Sequence, residues 1–352
     1  MDKYSKIIVD VVTNNNVSKI DLLNVDFEKL LVKASHNRVL HVFCKRLLVN
    51  AKSNISNSQR KILEKISLTS ERYLLAAHKT IKQIDKIFKK HKIEYLIVKT
   101  FKYIDYVTFD IDVLVKYSKF EQALKVLNDS DFKIEDHPGK KTQGLHQRNC
   151  LKSGLLKIDL HRKFFWLGIE HISEDFLWKN TRTMKLYNFK CPVPSNESDF
   201  ILHNKQLLYE RRYVTLLDFI AIKKSIENGI NFSAVSKEIE KFCWDESYLR
   251  LMLIINWLNF KMFGKYLLKN HDIKKISNKC LSMPYHFDLK HVMQIFFEMW
   301  QRHNLLSIFG FSYYVFTTVR YKLKNRLPFY DHWFNFSKIS KQKYTVAKCI
   351  HE

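Results

Sequence analysis

The run Phe109-Asp110-Ile111-Asp112-Val113-Leu114-Val115 constrains this chain more than any other stretch. It sets two carboxylates on either side of one isoleucine inside a strongly β-forming segment. Side chains alternate across a strand, so Asp110 and Asp112 emerge on one face, while Phe109, Ile111, Val113 and Val115 take the other and supply burial. Two acidic groups held side by side repel unless a cation neutralises them. A hard divalent ion with oxygen ligands, Mg2+ or Mn2+, suits such a pair.

The neighbouring sequence places this strand in a small sheet. Glu94 to Lys99 is a second β-forming run, and the acidic strand covers about 107–116. Ser118-Lys119-Phe120-Glu121 reads as a capping box, opening a helix whose Phe120, Ala123, Leu124 and Leu127 face the sheet. Phe132-Lys133-Ile134 is another short strand, ended by His137-Pro138-Gly139. Residues 145–152 and 155–161, separated by Ser153-Gly154, predict a β-hairpin. On its second arm Leu156, Ile158 and Leu160 point one way and Lys157, Asp159 and His161 the other, which supplies a third carboxylate. Pro192 and Pro194 mark the exit from this mixed region.

Both flanks read as helices. Asp26 begins one, Val39, Val42, Phe43, Leu47 and Leu48 continue the pattern, and Thr69 to Lys90 repeats Leu74, Leu75, Ala77, His78, Ile81, Ile84, Ile87 and Phe88 at helical intervals. From about Ser198 to Phe336 the chain is helical and aromatic-rich, with a lysine-rich tail. Only 7 Gly and 5 Pro among 352 residues argue against a turn-rich all-β architecture. The reading is an α+β fold: a small mixed sheet in a core over 91–196, between helical regions 1–90 and 197–352.

The formal charge of +25 favours a polyanionic partner such as nucleic acid, nucleotide phosphates or an anionic membrane surface, and is equally compatible with lysines that solvate helix faces. Six scattered cysteines form no CxxC or Cys/His cluster, so neither a zinc site nor a secreted disulfide framework is expected. No signal-like h-region follows Met1-Asp2-Lys3. Leu249 to Phe263 and Leu305 to Val319 are interrupted by polar residues, so no transmembrane segment is expected and a cytoplasmic location is.

The ordered set Leu96-Ile97-Val98-Lys99-Thr100, Asp110-Ile111-Asp112-Val113-Leu114-Val115 and Ile158-Asp159-Leu160-His161, followed by His203 and Asp218, resembles the polymerase-β-like nucleotidyltransferase superfamily. Within it, the chain is most similar to the bacterial and archaeal nucleotidyltransferase family with an LLKG, DIDLLV, DLHW order, including its leading segment Ala34 to Val39. The resemblance covers roughly 25–225. It implies catalytic, metal-binding roles for Asp110, Asp112 and Asp159, which would hold Mg2+ or Mn2+ against a nucleoside triphosphate such as ATP. Two-metal sites of this kind activate the attacking hydroxyl and stabilise the leaving pyrophosphate. The positive charge favours RNA such as tRNA as the acceptor, while a protein side chain or a small molecule is equally allowed by the motifs.

One position departs from the pattern. The glycine expected after Lys99 is Thr100, followed by Phe101. Glycine lets backbone approach phosphate closely. Here the Thr100 hydroxyl and the charges of Lys99 and Lys102 are the expected substitutes, with His161 supporting a metal-bound carboxylate. The departure also admits a catalytically inactive nucleotidyltransferase fold that binds RNA through a basic surface. His203 reads as a hydrogen-bonded core histidine, and Asp218 as one end of a structural ion pair with Arg211, Arg212 or His203; the two arginines alternatively face phosphates. The aromatics Phe309 to Phe316, followed by Arg320, Lys322, Lys324 and Arg326, fit a helical core with a basic edge, a single-stranded nucleic acid surface or a membrane-lying helix.

Overall fold

A computed structural model describes residues 2–14, 22–50, 55–100, 104–135, 146–166, 169–179, 181–186, 189–211 and 214–268. Lys102, Arg212, the His137-Pro138-Gly139 turn and the C-terminal aromatic-basic segment lie outside the described residues. Helices open the chain as expected: α1 (Lys3–Asn14), α2 (Phe27–His36), α3 (Leu40–Asn50) and α4 (Asn57–Lys90). The Asp26 carboxylate accepts from the Lys29 amide at 3.0 Å and fixes the start of α2. Helix α4 begins well before the predicted Thr69, because Ser56 and Gln59 close a reciprocal capping box there. Its Ala77, Ile81, Ile84, Ile87 and Phe88 are buried; Leu75, grouped with them by periodicity, is exposed.

Strands β1 (Tyr95–Val98), β2 (Asp110–Val115), β3 (Lys133–Glu135), β4 (Gln147–Leu151) and β5 (Lys157–His161) form one mixed sheet in the order β1-β2-β5-β4-β3. Only β2 and β5 run parallel; the other pairs are antiparallel. Helix α5 (Phe120–Asn128) follows β2. Gly154 takes φ +77 in the turn between β4 and β5, a conformation that carries no Cβ penalty for glycine.

Two local expectations fail. Phe109 is 49 % exposed and sets its ring edge-on to Tyr73 at 5.0 Å. The strand starts at Asp110, three residues later than read, which frees Phe109 from the alternation. Ser118 does not cap α5. It lies inside a 3-10 turn, Tyr117–Lys119, and Lys119 takes the N-cap position without a side-chain bond.

The segment between Arg162 and Pro192 holds elements that were not predicted: the pair β6 (Phe165–Trp166) and β7 (Ile169–Glu170), helix α6 (Glu174–Trp178), and the hairpin β8 (Arg182–Leu186) and β9 (Phe189–Val193). Pro192 lies within β9, where a two-stranded ribbon leaves each strand an edge and tolerates the missing N–H. Helices α7 (Asn196–Lys205), α8 (Leu216–Glu227), α9 (Phe232–Glu240) and α10 (Asp245–Phe263) follow, with a π turn over Gln206–Arg211 between α7 and α8. No helix among the described residues is long and apolar enough to cross a membrane.

The two faces of the sheet are covered differently. Ile97, Ile111, Val113, Val115, Ile158 and Leu160 pack with the buried residues of α4 and α5. Leu96, Val98 and Leu114 face the other way, into one apolar cluster that joins α1–α3 to α7–α10. This second face is also the acidic one. The carboxylates therefore look toward a helical body assembled from both ends of the described chain.

Candidate active site

Strand register decides which polar groups meet. In the parallel β2–β5 pair, Asp110 lies opposite Lys157, Asp112 opposite Asp159, and Leu114 opposite His161. Alternation puts all of these side chains on the face turned to the helical body. Asp110, Asp112, Asp159 and His161 thus come together from positions about fifty residues apart. His161 Nε2 stands 2.8 Å from Asp112 Oδ1. An ionised carboxylate only accepts, so the imidazole donates through Nε2 and leaves Asp112 Oδ2 for another partner.

The carboxylates are not equivalent. Burial and the neighbouring charges of Asp112 and Asp159 push Asp110 above the ordinary carboxylate value. Burial acts in the same sense on Asp112, but nearby Lys99 and the His161 hydrogen bond outweigh it and hold that group below its ordinary value. The lysine and histidine beside Asp112, which Asp110 lacks to the same degree, set the two carboxylates apart.

Lys99 follows β1 in the left-handed region, at φ +57. This conformation costs a non-glycine residue about 1–2 kcal/mol. It turns the chain so that the Lys99 ammonium lies 3.8 Å from Asp112 Oδ1 and 4.6 Å from the centre of the Phe164 ring. Burial would lower its pKa, but Glu210 and Asp112 outweigh burial and raise it, so Lys99 is cationic. The Tyr106 hydroxyl donates to the Lys99 carbonyl at 3.1 Å. Thr100 is buried, and its hydroxyl donates back to the Val98 carbonyl at 3.0 Å. The left-handed residue is thus Lys99, one position before the glycine of the resembling pattern.

Sequence reasoning missed a second layer of charge. Lys205, at the end of α7, is buried and reaches Glu210 Oε1 at 2.5 Å and the Phe165 carbonyl at 3.4 Å. Burial pushes Glu210 up, but Lys205 and Lys99 outweigh it and hold its carboxyl far below the usual range. The π turn that carries Glu210 and Arg211 is a local departure from α geometry of the kind found often at functional sites. A lysine between the apolar stretches Phe200-Ile201-Leu202 and Leu207-Leu208 was the only signal for this layer.

Asp218 anchors the wall behind it. The side chain is fully buried. Its Oδ1 lies 2.9 Å from His203 Nε2, 2.9 Å from Arg211 and 3.5 Å from Arg38, while Oδ2 accepts from the Thr215 hydroxyl at 2.6 Å. Two of the partners read from sequence, Arg211 and His203, are therefore present, with Arg38 added from the N-terminal region. The Arg38 guanidinium also sits 5.7 Å from the Tyr106 ring centre, which links this wall to the turn at Lys99.

Among the described residues, no three His, Cys, Asp or Glu side chains stand close enough to form a ready metal cage. The donor chemistry nevertheless suits a hard cation: three oxygen-bearing groups on adjacent strands, with Asp159 Oδ1 buried. The cation that faces it is Lys157, whose Nζ is 2.8 Å from Asp159 Oδ1 and 3.7 Å from Asp110 Oδ2.

A family model described as an uncharacterised nucleotidyltransferase matches residues 24–259. One similar solved structure is the lincosamide antibiotic adenylyltransferase LnuA with lincomycin bound. It is 17 % identical, the match covers 42 % of this chain and 95 % of that one, and the TM-score is 0.30. No curated protein matches.

Proposed function

This chain belongs to the uncharacterised nucleotidyltransferase family, and on that premise we propose that it moves a nucleoside monophosphate from a nucleoside triphosphate to an acceptor hydroxyl, with Asp110, Asp112 and Asp159 as the working carboxylates. The observation that carries the reading is the β2–β5 register, which sets the three aspartates side by side on one face. Mg2+ or Mn2+ held by them would neutralise the triphosphate and lower the pKa of the attacking hydroxyl. The acceptor oxygen bonds to the α-phosphorus and releases its proton to solvent, the bond to the bridging oxygen breaks, and pyrophosphate leaves.

The protein's own groups divide the remaining work. His161 fixes the orientation of Asp112. Lys99, pinned under Phe164, supplies fixed positive charge where negative charge gathers on the phosphates. Thr100 shapes the turn. We assign residues 91–196 to the catalytic core, between flanking regions 1–90 and 197–352. The donor is a nucleoside triphosphate, ATP or another, and RNA such as tRNA is the acceptor we favour on the strength of the +25 charge; a protein or small-molecule hydroxyl fits the same carboxylates. We place the reaction in the cytoplasm.

One observation favours a second reading, an inactive RNA-binding protein: the Thr100 hydroxyl, the nearest substitute for the glycine loop, is already bound to the Val98 carbonyl. Incubation with each nucleoside triphosphate labelled at its α-phosphate, together with Mg2+ or Mn2+ and separate RNA and protein fractions, distinguishes the two. Label transferred by the native protein and lost in the Asp110→Ala/Asp112→Ala double variant supports the transferase. No transfer with any nucleotide, alongside salt-sensitive RNA binding that the double variant retains, supports the binder.

A further inference from the structure

We propose that Lys157 is the resident counter-cation of the aspartate face: its ammonium bridges Asp110 and Asp159 until a metal–nucleotide complex displaces it, and it then moves onto the triphosphate. This rests on the transferase reading above. The register places Lys157 directly opposite Asp110, and alternation places it on the same face as Asp159, two residues on. Its Nζ lies 2.8 Å and 3.1 Å from the two Asp159 oxygens and 3.7 Å from Asp110 Oδ2. A divalent ion that bridged these carboxylates would need the same oxygens. Ammonium and metal repel each other at such separations and exclude one another.

Lys157 is also built to leave. Its side chain is 34 % exposed, on a flexible four-carbon stem. The other cations around the site are held more firmly. Lys99 is 8 % exposed beneath Phe164, Lys205 is buried against Glu210, and Arg211 is paired with fully buried Asp218. Among these, Lys157 is the cation with both a strand position beside the carboxylates and a route to solvent. Its displacement by metal frees a positive charge next to the triphosphate that arrives with that metal. The two ligands therefore bind cooperatively, and each strengthens the other by the same factor.

The test measures Mn2+ binding to the full chain by titration calorimetry and electron paramagnetic resonance, with and without a non-hydrolysable nucleoside triphosphate analogue. In the native protein Mn2+ alone should bind weakly, and the analogue should tighten it at least tenfold. Lys157→Met should bind Mn2+ alone at least tenfold more tightly than native and lose most of the coupling; Lys157→Gln, which keeps a polar end group, should behave the same way. Circular dichroism of each variant checks that it is folded. If both variants bind Mn2+ alone within twofold of native while Asp110→Ala and Asp159→Ala abolish binding, Lys157 is not the competing cation and the carboxylate reading stands. If Mn2+ binding ignores Asp110 and Asp159 altogether, the carboxylate reading falls, and this proposal falls with it.

Discussion

Replacement of Asp218 by alanine should be among the most damaging single changes to stability. The carboxylate has no exposure and serves His203, Arg211, Arg38 and Thr215 together. Removal of one partner from a buried ionic cluster typically costs about 3–5 kcal/mol. The side chains of Arg211 and Arg38 are 20 % and 30 % exposed and can partly rehydrate, which pulls the figure down. His203 is 6 % exposed and cannot, so its N–H is left without an acceptor at a cost of about 1–3 kcal/mol. The capping bond to Thr215 is worth about 1 kcal/mol. These contributions overlap, so about 3–4 kcal/mol is expected for Asp218→Ala and about 2 kcal/mol for Asp218→Asn, which keeps an acceptor but no charge. Urea unfolding followed by circular dichroism gives both values. The pH dependence adds a sign. Burial pushes Asp218 up, but Arg211 and His203 outweigh it and hold its pKa well below the ordinary value. Its contribution to stability is therefore complete above about pH 5 and is lost as pH falls through the unfolded value near 3.9 toward the folded one, by up to about 1.4 kcal/mol per pH unit. Asp218→Asn should flatten the acid limb by that amount. An Asp218→Ala variant within about 0.5 kcal/mol of native would refute the reasoning.

Two further outcomes test other parts of the structure. His161→Ala should weaken Mn2+ affinity in the presence of the nucleotide analogue about 10–100-fold with little change in urea midpoint, because the imidazole orients Asp112; unchanged affinity would remove its positioning role. Burial pushes the thiols of Cys150 and Cys191 up to about 12, and Cys44 is buried as well. At pH 8 peptide mapping after iodoacetamide should find these three unmodified until urea is added; rapid alkylation of any of them in the native state would show that its surroundings open readily.

The sequence made the sheet legible where alternation was clean. Asp110, Asp112, Asp159 and His161 announced their shared face because their neighbours Ile111, Val113, Ile158 and Leu160 are uniformly apolar. The same rule misplaced Phe109, since alternation says nothing of where a strand begins. It also left Leu114 unassigned, because a face can be acidic at one end and buried at the other. Ser118 had the right spacing for a cap, and a 3-10 turn took its place. The hairpin of β8 and β9 stayed hidden because its Pro192 reads as a break. Lys205 and Glu210 were illegible for a different reason: a charge between apolar stretches becomes meaningful only when its partner is known, and that partner is carried on a π turn. Arg38 meets Asp218 through tertiary packing alone.

The shared helical cluster has a consequence for synthesis. The Leu216 amide donates to Asn37 Oδ1 at 3.2 Å, across 179 positions of the chain, and the Leu217 amide donates to the Asn37 carbonyl at 3.3 Å. Polymerisation at roughly 5–20 residues per second separates the emergence of those partners by about 10–40 s. For that interval Leu30, Phe43 and Leu47, all buried in the finished fold, have no complete cover. Non-local closure of this kind is slow and exposes sticky surface. A ribosome stalled between α3 and α8 should therefore hold a nascent chain that chaperones bind, and release from that stall should yield aggregates and not an independently folded half.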